Sequence, residues 1–227
     1  MLLTGGPGTG KTYTVRSIVA QWRAQGLRVL MACPTARAAT VLAEAVGGKA
    51  STIHRLLEYN PHEDLWKRDR LNPLETDALV VDEASMLDVQ LAARLLDAMP
   101  EQCRVLVVGD PDQLPSVGAG SVLKDLLRCS RVPRVELTRV FRQDPSGDIA
   151  RNAQLINHGL PPVHMRRLDH SAGEESLPSG CVLLDAGSEA EAASLIAEGV
   201  LDWLSDAGYD LRSEVQVLSP LKRGAAP

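Results

Sequence analysis

The chain has 227 residues, of which 44% are hydrophobic and 3% aromatic, and its formal net charge is −5. The length fits one large domain or one and a half smaller ones, with a core built from Leu, Val, Ala and Ile. The acidic balance excludes a broadly cationic coat for nucleic acid, so any such contact must be local. No stretch approaches the ~20 apolar residues of a membrane span, and no basic segment opens a signal peptide. We therefore expect a cytoplasmic protein without a membrane partner.

Short apolar runs alternate with helical patterns along the first 140 residues. The apolar N-terminal residues 1–3 predict the end of a strand, and residues 12–25 have the apolar spacing of a helix. Further strands are predicted at 27–33, 78–82, 104–109 and 134–137, and further helices at 36–46, 52–57, 88–99 and 121–128. Apolar strands separated by helices predict an α/β fold, with a parallel sheet covered by helices on both faces.

Two segments depart from this alternation. Residues 59–73 contain two Asn-Pro pairs and a charged run, and they predict a hairpin-like excursion from the first domain, 1–140. In residues 141–227 the pattern predicts a helix at 148–158 and a polar, Pro-containing linker at 161–180. Strands at 181–185 and 215–218 then flank a long helix at 189–206. This β–α–β order predicts the incomplete start of a second α/β domain.

The cysteines indicate neither a disulfide nor a zinc site. Cys33, Cys103, Cys129 and Cys181 lie far apart, without a C-x-x-C pair or a His at ligand spacing. We expect buried thiols in a reducing cytoplasm.

Residues 5–12, GGPGTGKT, fit the phosphate-binding loop G-x-x-x-x-G-K-[ST] at every fixed position. Glycines let the backbone curl so that its N–H groups point at phosphates. Lys11 would place a positive charge against the β and γ phosphates, and the Thr12 hydroxyl would complete a Mg²⁺ shell. A chance glycine-rich turn is the alternative, but a strand precedes the loop and a helix follows it. The predicted ATP site consists of Gly6, Pro7, Gly8, Thr9, Gly10, Lys11 and Thr12.

Two later strands also end in polar residues. Asp82 and Glu83 follow the strand at 78–82; in a P-loop ATPase the first acid holds Mg²⁺ and the second polarises the attacking water. Gln113 follows the strand at 104–109, and its amide can sense a γ-phosphate or orient a water. Carboxyl ends of parallel strands meet at one edge of a sheet, where ligands bind. A surface acidic pair and an ordinary Asp-Pro turn are the alternatives.

Taken together, the segments resemble superfamily-one DNA helicases. Residues 5–12, 82–86 and 109–115 are similar to motifs I, II and III of that family, residues 137–143 to motif IV, and residues 34–39 and 51–55 to its segments that contact single strands. Residues 117–122 and 218–224 resemble the RecD-like branch in particular. Ala36 departs from the family, which often has Gly at that position.

The resemblance implies an ATP-driven, Mg²⁺-dependent motor of P-loop, RecA-like fold that acts in DNA repair or recombination. It would move five-prime to three-prime on single-stranded DNA and open DNA forks. Lys11, Glu83 and Gln113 would be catalytic, together with Arg142, which would meet the γ-phosphate from the second domain; Arg139 competes for that role. DNA contacts are implied for Pro34, Thr35, Arg37 and His54. A helix cap at Thr35 and a packed His54 are the alternatives.

Residues 59–73 lie where this branch carries a hairpin wedge that splits the duplex. Trp66 and the charges of residues 67–70 fit contact with nucleic acid, and a solvated loop is the alternative. The chain begins almost at the phosphate loop and ends before the later helicase motifs, so we expect a monomeric fragment of a longer motor. For the isolated chain, the alternative function is a nucleotide-binding regulatory or assembly module with little ATPase and no unwinding.

Overall fold

The structure is a computed structural model that describes residues 1–139, 141, 147–168 and 180–219. The chain divides into two compact units, Met1–Gln143 and Asp144–Pro227. Within the described residues, no helix is both long enough and apolar enough to cross a membrane.

In the first unit, strands and helices alternate. The strands are β1 (Leu2–Gly5), β2 (Val29–Cys33), β3 (Ser51–Thr52), β4 (Tyr59–Asn60), β5 (Leu65–Trp66), β6 (Ala78–Val81), β7 (Arg104–Gly109) and β8 (Arg134–Leu137). The helices are α1 (Lys11–Ala24), α2 (Ala36–Val46), α3 (Ile53–Leu56), α4 (Val89–Asp97) and α5 (Val122–Arg128), with a 3₁₀ helix at Ala84–Met86.

Six of these strands form one parallel sheet in the order β3-β2-β6-β7-β1-β8. This confirms the predicted α/β fold with a parallel sheet. Since all six strands run in one direction, the loops after β1, β2, β6 and β7 emerge at the same edge. The phosphate loop, the acid pair and Gln113 follow three of these strands.

The sheet is buried on both faces because successive side chains of a strand point in opposite directions. In β6, Val80 packs into a cluster with Val15 and Val19 of α1 and Leu42 of α2. Its neighbours Leu79 and Val81 pack into a second cluster with residues of α3 and α4. Helices therefore cover both faces, as the continuous apolar runs predicted.

The excursion after α3 is a short antiparallel hairpin. Tyr59 pairs with Trp66 and Asn60 with Leu65. The Tyr59 hydroxyl donates to Asp64 Oδ1 at 2.9 Å across the turn. Below the hairpin, the Arg68 guanidinium forms an ion pair of 2.7 Å with Glu58. These contacts give residues 59–68 a defined shape.

The second unit contains helix α6 (Asp148–Asn157) and strands β9 (Arg166–Leu168) and β10 (Val182–Leu184), which pair in parallel. Helices α7 (Glu189–Leu195) and α8 (Leu201–Asp206) are joined through a π-helical segment at Ile196–Val200. Two predictions were wrong. Residues 161–180 contain β9 and are not only a linker, and residues 215–218 form no strand. In the latter segment no described strand supplies the pairing that an extended chain needs, and Leu218 is 86% exposed.

The prediction of buried thiols holds for only one cysteine. All four thiols are free, but only Cys33 is buried, whereas Cys129 is exposed at the end of α5. Cys33 ends β2 inside the sheet, where both faces are covered; Cys103 and Cys181 are half-buried.

Candidate active site

The phosphate loop curls around the side chain of Lys11. Gly8 and Gly10 adopt positive φ angles of 75° and 88°, which glycine tolerates best. Lys11 Nζ donates to the carbonyl oxygens of Gly5 and Gly6 at 2.5 and 2.9 Å. The Thr9 hydroxyl donates to the Gly6 carbonyl at 2.8 Å. The ammonium group is thus held at the mouth of the loop, beside the start of α1.

The interior of this loop is open to an anion. The N–H groups of Gly8, Thr9 and Gly10 donate to none of the described groups, and unpaired N–H groups before a helix form a phosphate site. Gly5 is required for a different reason, because a Cβ there would lie 2.6 Å from the Leu137 carbonyl oxygen and from Thr9 Oγ1. The loop is therefore packed on its outer side and free to bind on its inner side.

The acid pair follows β6 in a tight turn. Glu83 has a left-handed backbone, with φ of 55°, and its N–H donates to Asp82 Oδ1 at 2.8 Å. Burial raises the pKa of Asp82, whereas the hydrogen bond from Glu83 N–H and the charge of Lys11 lower it. Burial and then the charge of Asp82 raise the pKa of Glu83. Two neighbouring carboxylates and one ammonium group thus share a partly desolvated site.

The pair also acts on the strand beside it. Burial raises the pKa of the Cys33 thiol to about 12, and the charges of Asp82 and Glu83 add to this rise. Cys33 therefore stays a neutral thiol beneath the acid pair.

Gln113 reaches the acid pair from the loop after β7. Gln113 and Glu83 line one cavity, and the Gln113 amide lowers the pKa of Glu83 against the larger effect of burial, which raises it. The Oε1 of Gln113 accepts a hydrogen bond of 3.2 Å from the Ser85 hydroxyl. Asp110 is 2% exposed, and its Oδ1 accepts from Asp112 N–H at 3.0 Å. The Asp-Pro turn that carries Gln113 is therefore fixed by a buried carboxylate.

These side chains share one cavity of about 370 Å³. Its lining includes Thr12, Asp82, Glu83 and Gln113, and also Arg37 from α2. Oxygen donors from Thr12 and Asp82 are the ligand type that Mg²⁺ prefers, and a cation there would offset the burial of two carboxylates. The residues present therefore fit Mg²⁺ with a nucleoside triphosphate.

The residues predicted to touch DNA separate into two groups. Thr35 caps α2, because its Oγ1 accepts from Ala38 N–H at 3.3 Å, and it lines the same cavity as Arg37. Pro34 precedes this cap and is half-buried. His54 does not line that cavity; its ring centroid lies 5.4 Å from that of Trp66. The structure thus contains the helix cap that was the alternative for Thr35 and the packed ring that was the alternative for His54.

His54 belongs to an aromatic cluster at the base of the hairpin. The ring centroids of Tyr59 and Trp66 are 4.3 Å apart, and that of His54 is 5.6 Å from Tyr59. Arg94 of α4 lies 5.9 Å above the Trp66 ring, within reach of a cation–π interaction. The hairpin is thereby attached to the sheet domain.

Arg142 lies outside the described residues. Nearby, Phe141 N–H donates to the Gly8 carbonyl at 2.8 Å, and the Arg139 guanidinium stacks 5.0 Å from the Phe141 ring. The segment before Arg142 therefore touches the phosphate loop.

Sequence reasoning assigned no role to Ser85, Asp110 or the cavity face of Arg37. An Asp two residues before the N–H that it accepts is a common turn signal, and it could have singled out Asp110. The contact of Ser85 with Gln113 joins residues 28 positions apart, so no local pattern indicates it.

A family model described as an AAA domain matches residues 1–174. The chain belongs to the AAA domain family. This AAA domain is 42% identical over 163 residues to the ATP-dependent RecD2 DNA helicase of Deinococcus radiodurans, a match that covers 72% of this chain and 22% of that protein. It is 43% identical over 150 residues to the RecBCD enzyme subunit RecD of Mycolicibacterium smegmatis, which covers 56% of this chain and 27% of that subunit.

Among solved structures, the AAA domain is similar to the Pif1 helicase from Candida albicans, with a TM-score of 0.57 and 24% identity over 71% of this chain and 41% of that one. This likeness confirms the fold, and the two RecD matches confirm the resemblance to the RecD-like branch. The AAA domain spans about a quarter of the length of these curated relatives.

Proposed function

We propose that this chain is the ATP-hydrolysing core of a RecD-like DNA motor. The observation that carries the proposal is that the phosphate loop with Lys11, the Asp82–Glu83 pair and Gln113 all follow parallel strands at one edge of the sheet, beside N–H groups that pair with no described residue. This is the donor and acceptor set that phosphoryl transfer to water requires. The RecD relatives support DNA as the track, and the resemblance to their branch is the basis for movement from five prime to three prime.

Each side chain has a proposed task. The N–H groups of residues 8–10 and Lys11 would bind the phosphates, and Thr12 with Asp82 would hold Mg²⁺, which supplies charge neutralisation when bound. Glu83 would accept the proton of the attacking water, and Gln113 would orient that water. Arg142 remains the proposed arginine for the γ-phosphate. In this proposal residues 1–140 form the first motor domain and residues 141–227 begin the second.

Hydrolysis of ATP, measured with and without single-stranded DNA, tests this function. We expect Mg²⁺-dependent hydrolysis that single-stranded DNA accelerates. Nucleotide binding without DNA-stimulated hydrolysis would instead support a regulatory or assembly module.

Arg37 is the strongest candidate for a local DNA contact. It is exposed, lines the cavity of the acid pair, and has no hydrogen bond or ion pair with any described residue. We expect Arg37→Ala to reduce the slope of log K against log salt for single-stranded DNA by about 0.7, since each neutralised phosphate contributes about that much. Fluorescence titrations at several salt concentrations measure this slope. Arg131→Ala removes a charge that is also exposed, just before β8 at the opposite sheet edge, and we expect no change from it.

We further propose that the hairpin at residues 59–66 meets the duplex at a DNA fork. It projects an exposed Leu65, while the Tyr59–Trp66 stack and Arg94 hold its base. Of the nearby cations, Arg68 is occupied by Glu58, whereas Lys67 and Arg70 are exposed. These two charges are therefore free to contact phosphates.

The double change Lys67→Ala, Arg70→Ala tests the wedge. It should weaken binding to forked DNA more than to single strands, with the salt slope on forks reduced by up to about 1.8 if both side chains meet duplex phosphates. A charge-matched control is Lys49→Ala, Arg131→Ala, because both residues are exposed and precede strands at the opposite edge. Equal losses on both substrates would reduce residues 59–73 to a solvated loop.

A further inference from the structure

Ser85 is a buried polar residue close to the acid pair, with 8% of its surface exposed. It lies in the 3₁₀ helix Ala84–Met86, directly after Glu83. Gly109 of β7 packs against this helix: a Cβ at Gly109 would lie 3.3 Å from the backbone nitrogens of Ala84 and Ser85. Ser85 is therefore held in place by its own helix and by the neighbouring strand.

Among the described residues, the hydroxyl of Ser85 has one acceptor, Gln113 Oε1, at 3.2 Å. Gln113 is otherwise an exposed side chain. Its backbone is fixed separately, because Gln113 N–H donates to the Asp110 carbonyl at 3.3 Å and the Asp110 side chain caps the same turn. The turn thus fixes the backbone position of Gln113, and Ser85 fixes the position of its side-chain amide.

The orientation of that amide has chemical consequences. A carboxamide offers an oxygen that accepts and a nitrogen that donates, whereas an ionised carboxylate only accepts. Gln113 lines one cavity with Glu83, and its oxygen is held by Ser85, so its nitrogen is the end left to face the carboxylate. The Ser85 hydroxyl donates to the oxygen and holds the amide in place, and the Glu83 carboxylate, which only accepts, favours the nitrogen on its own side. The opposite orientation would place two oxygens against each other.

We infer that Ser85 is a positioning residue, whose hydroxyl fixes the Gln113 amide so that its nitrogen faces Glu83. Ser85 itself does not line the cavity of the acid pair, so it acts only through Gln113. The inference rests on the proposed ATPase function and deepens it, because it makes Glu83 and Gln113 one unit. Without Ser85, the amide would rotate and Glu83 would lose a fixed donor.

Kinetics of ATP hydrolysis test the inference. Ser85→Ala should lower kcat by about tenfold, the value of one lost hydrogen bond in the transition state, and leave KM for ATP within about twofold. Ser85→Thr keeps the hydroxyl and should restore most of kcat. The matched control is Ser121→Ala, because Ser121 faces Gln113 across a small shared cavity but forms no side-chain hydrogen bond at the start of α5. Equal losses in Ser85→Ala and Ser121→Ala would overturn the inference.

A second measurement is independent of turnover. The side-chain amide of Gln113, assigned by its loss in Gln113→Leu, should exchange slowly with solvent in ¹H–¹⁵N spectra of the parent chain. In Ser85→Ala its signals should shift and exchange faster, whereas Ser121→Ala should leave them in place. Unchanged Gln113 signals in Ser85→Ala would overturn the inference. Absence of hydrolysis in the parent chain would instead count against the proposed function, and the amide spectra would still decide the role of Ser85.

Discussion

Lys11→Ala is expected to lower ATP turnover, or the affinity for Mg·ATP, by about 10²-fold. The ammonium group lies within hydrogen-bond distance of two carbonyls of the phosphate loop, so bound phosphates would contact it directly. A charge-assisted contact of this kind contributes a few kcal/mol, and about 2.7 kcal/mol corresponds to 10²-fold. Fluorescent-nucleotide binding and phosphate-release assays separate affinity from turnover.

Lys49→Ala provides the control for Lys11→Ala. Lys49 is an exposed lysine in the loop before β3, remote from the phosphate loop, and its loss should leave both quantities unchanged. If Lys11→Ala bound and hydrolysed ATP like the parent chain, residues 5–12 would be an ordinary glycine-rich turn.

Glu83→Gln should separate binding from chemistry. The change preserves shape but removes the proposed base, so we expect ATP to bind within about threefold of the parent while hydrolysis falls by 10² to 10⁴, the range for loss of a general base. The left-handed backbone at Glu83 is retained, since Gln tolerates it as Glu does. Single-turnover hydrolysis and nucleotide binding are the measurements.

Asp82→Asn is the companion variant. Because Asp82 and Thr12 line the cavity together and are the proposed Mg²⁺ ligands, this change should shift the Mg²⁺ concentration needed for half-maximal hydrolysis and leave the proposed base in place. A shared defect in nucleotide affinity, without a separate loss of turnover in Glu83→Gln, would contradict the two distinct roles.

The sheet could be predicted from sequence because its signals are local. The continuous apolar run at β7, the apolar Val135 and Leu137 of β8 and the helical period of α2 predicted the same bounds that the structure has. The strands of the second unit were harder to predict from sequence. β9, with two arginines among its three residues, has no apolar run, whereas residues 215–218 contain three apolar residues but pair with none of the described strands. Strand formation depends on pairing across the chain, which periodicity does not contain.

The location of the site at one edge of the sheet could be predicted from the sequence. Motif spacing and the rule for parallel strands predicted Lys11, the acid pair and Gln113 at one edge, and in the structure their loops lie at that edge, with the acid pair and Gln113 lining one cavity. The rule could not indicate which way a side chain points. The Ser85 hydroxyl, the cavity face of Arg37 and the stacking of His54 on Trp66 depend on side-chain rotamers and long-range packing.

The desolvated acid pair has a consequence for the evolution of this protein. With both pKa values raised by burial, the free fold becomes less stable as pH rises through the ordinary carboxylate range, because the unfolded chain releases those protons more readily. Neutral residues at positions 82 and 83 would avoid the cost of burying two neighbouring carboxylates, so they would raise the free energy of unfolding of the nucleotide-free protein. Selection for folding stability alone would therefore replace the two acids. Their retention in related sequences would indicate selection for the function of the site.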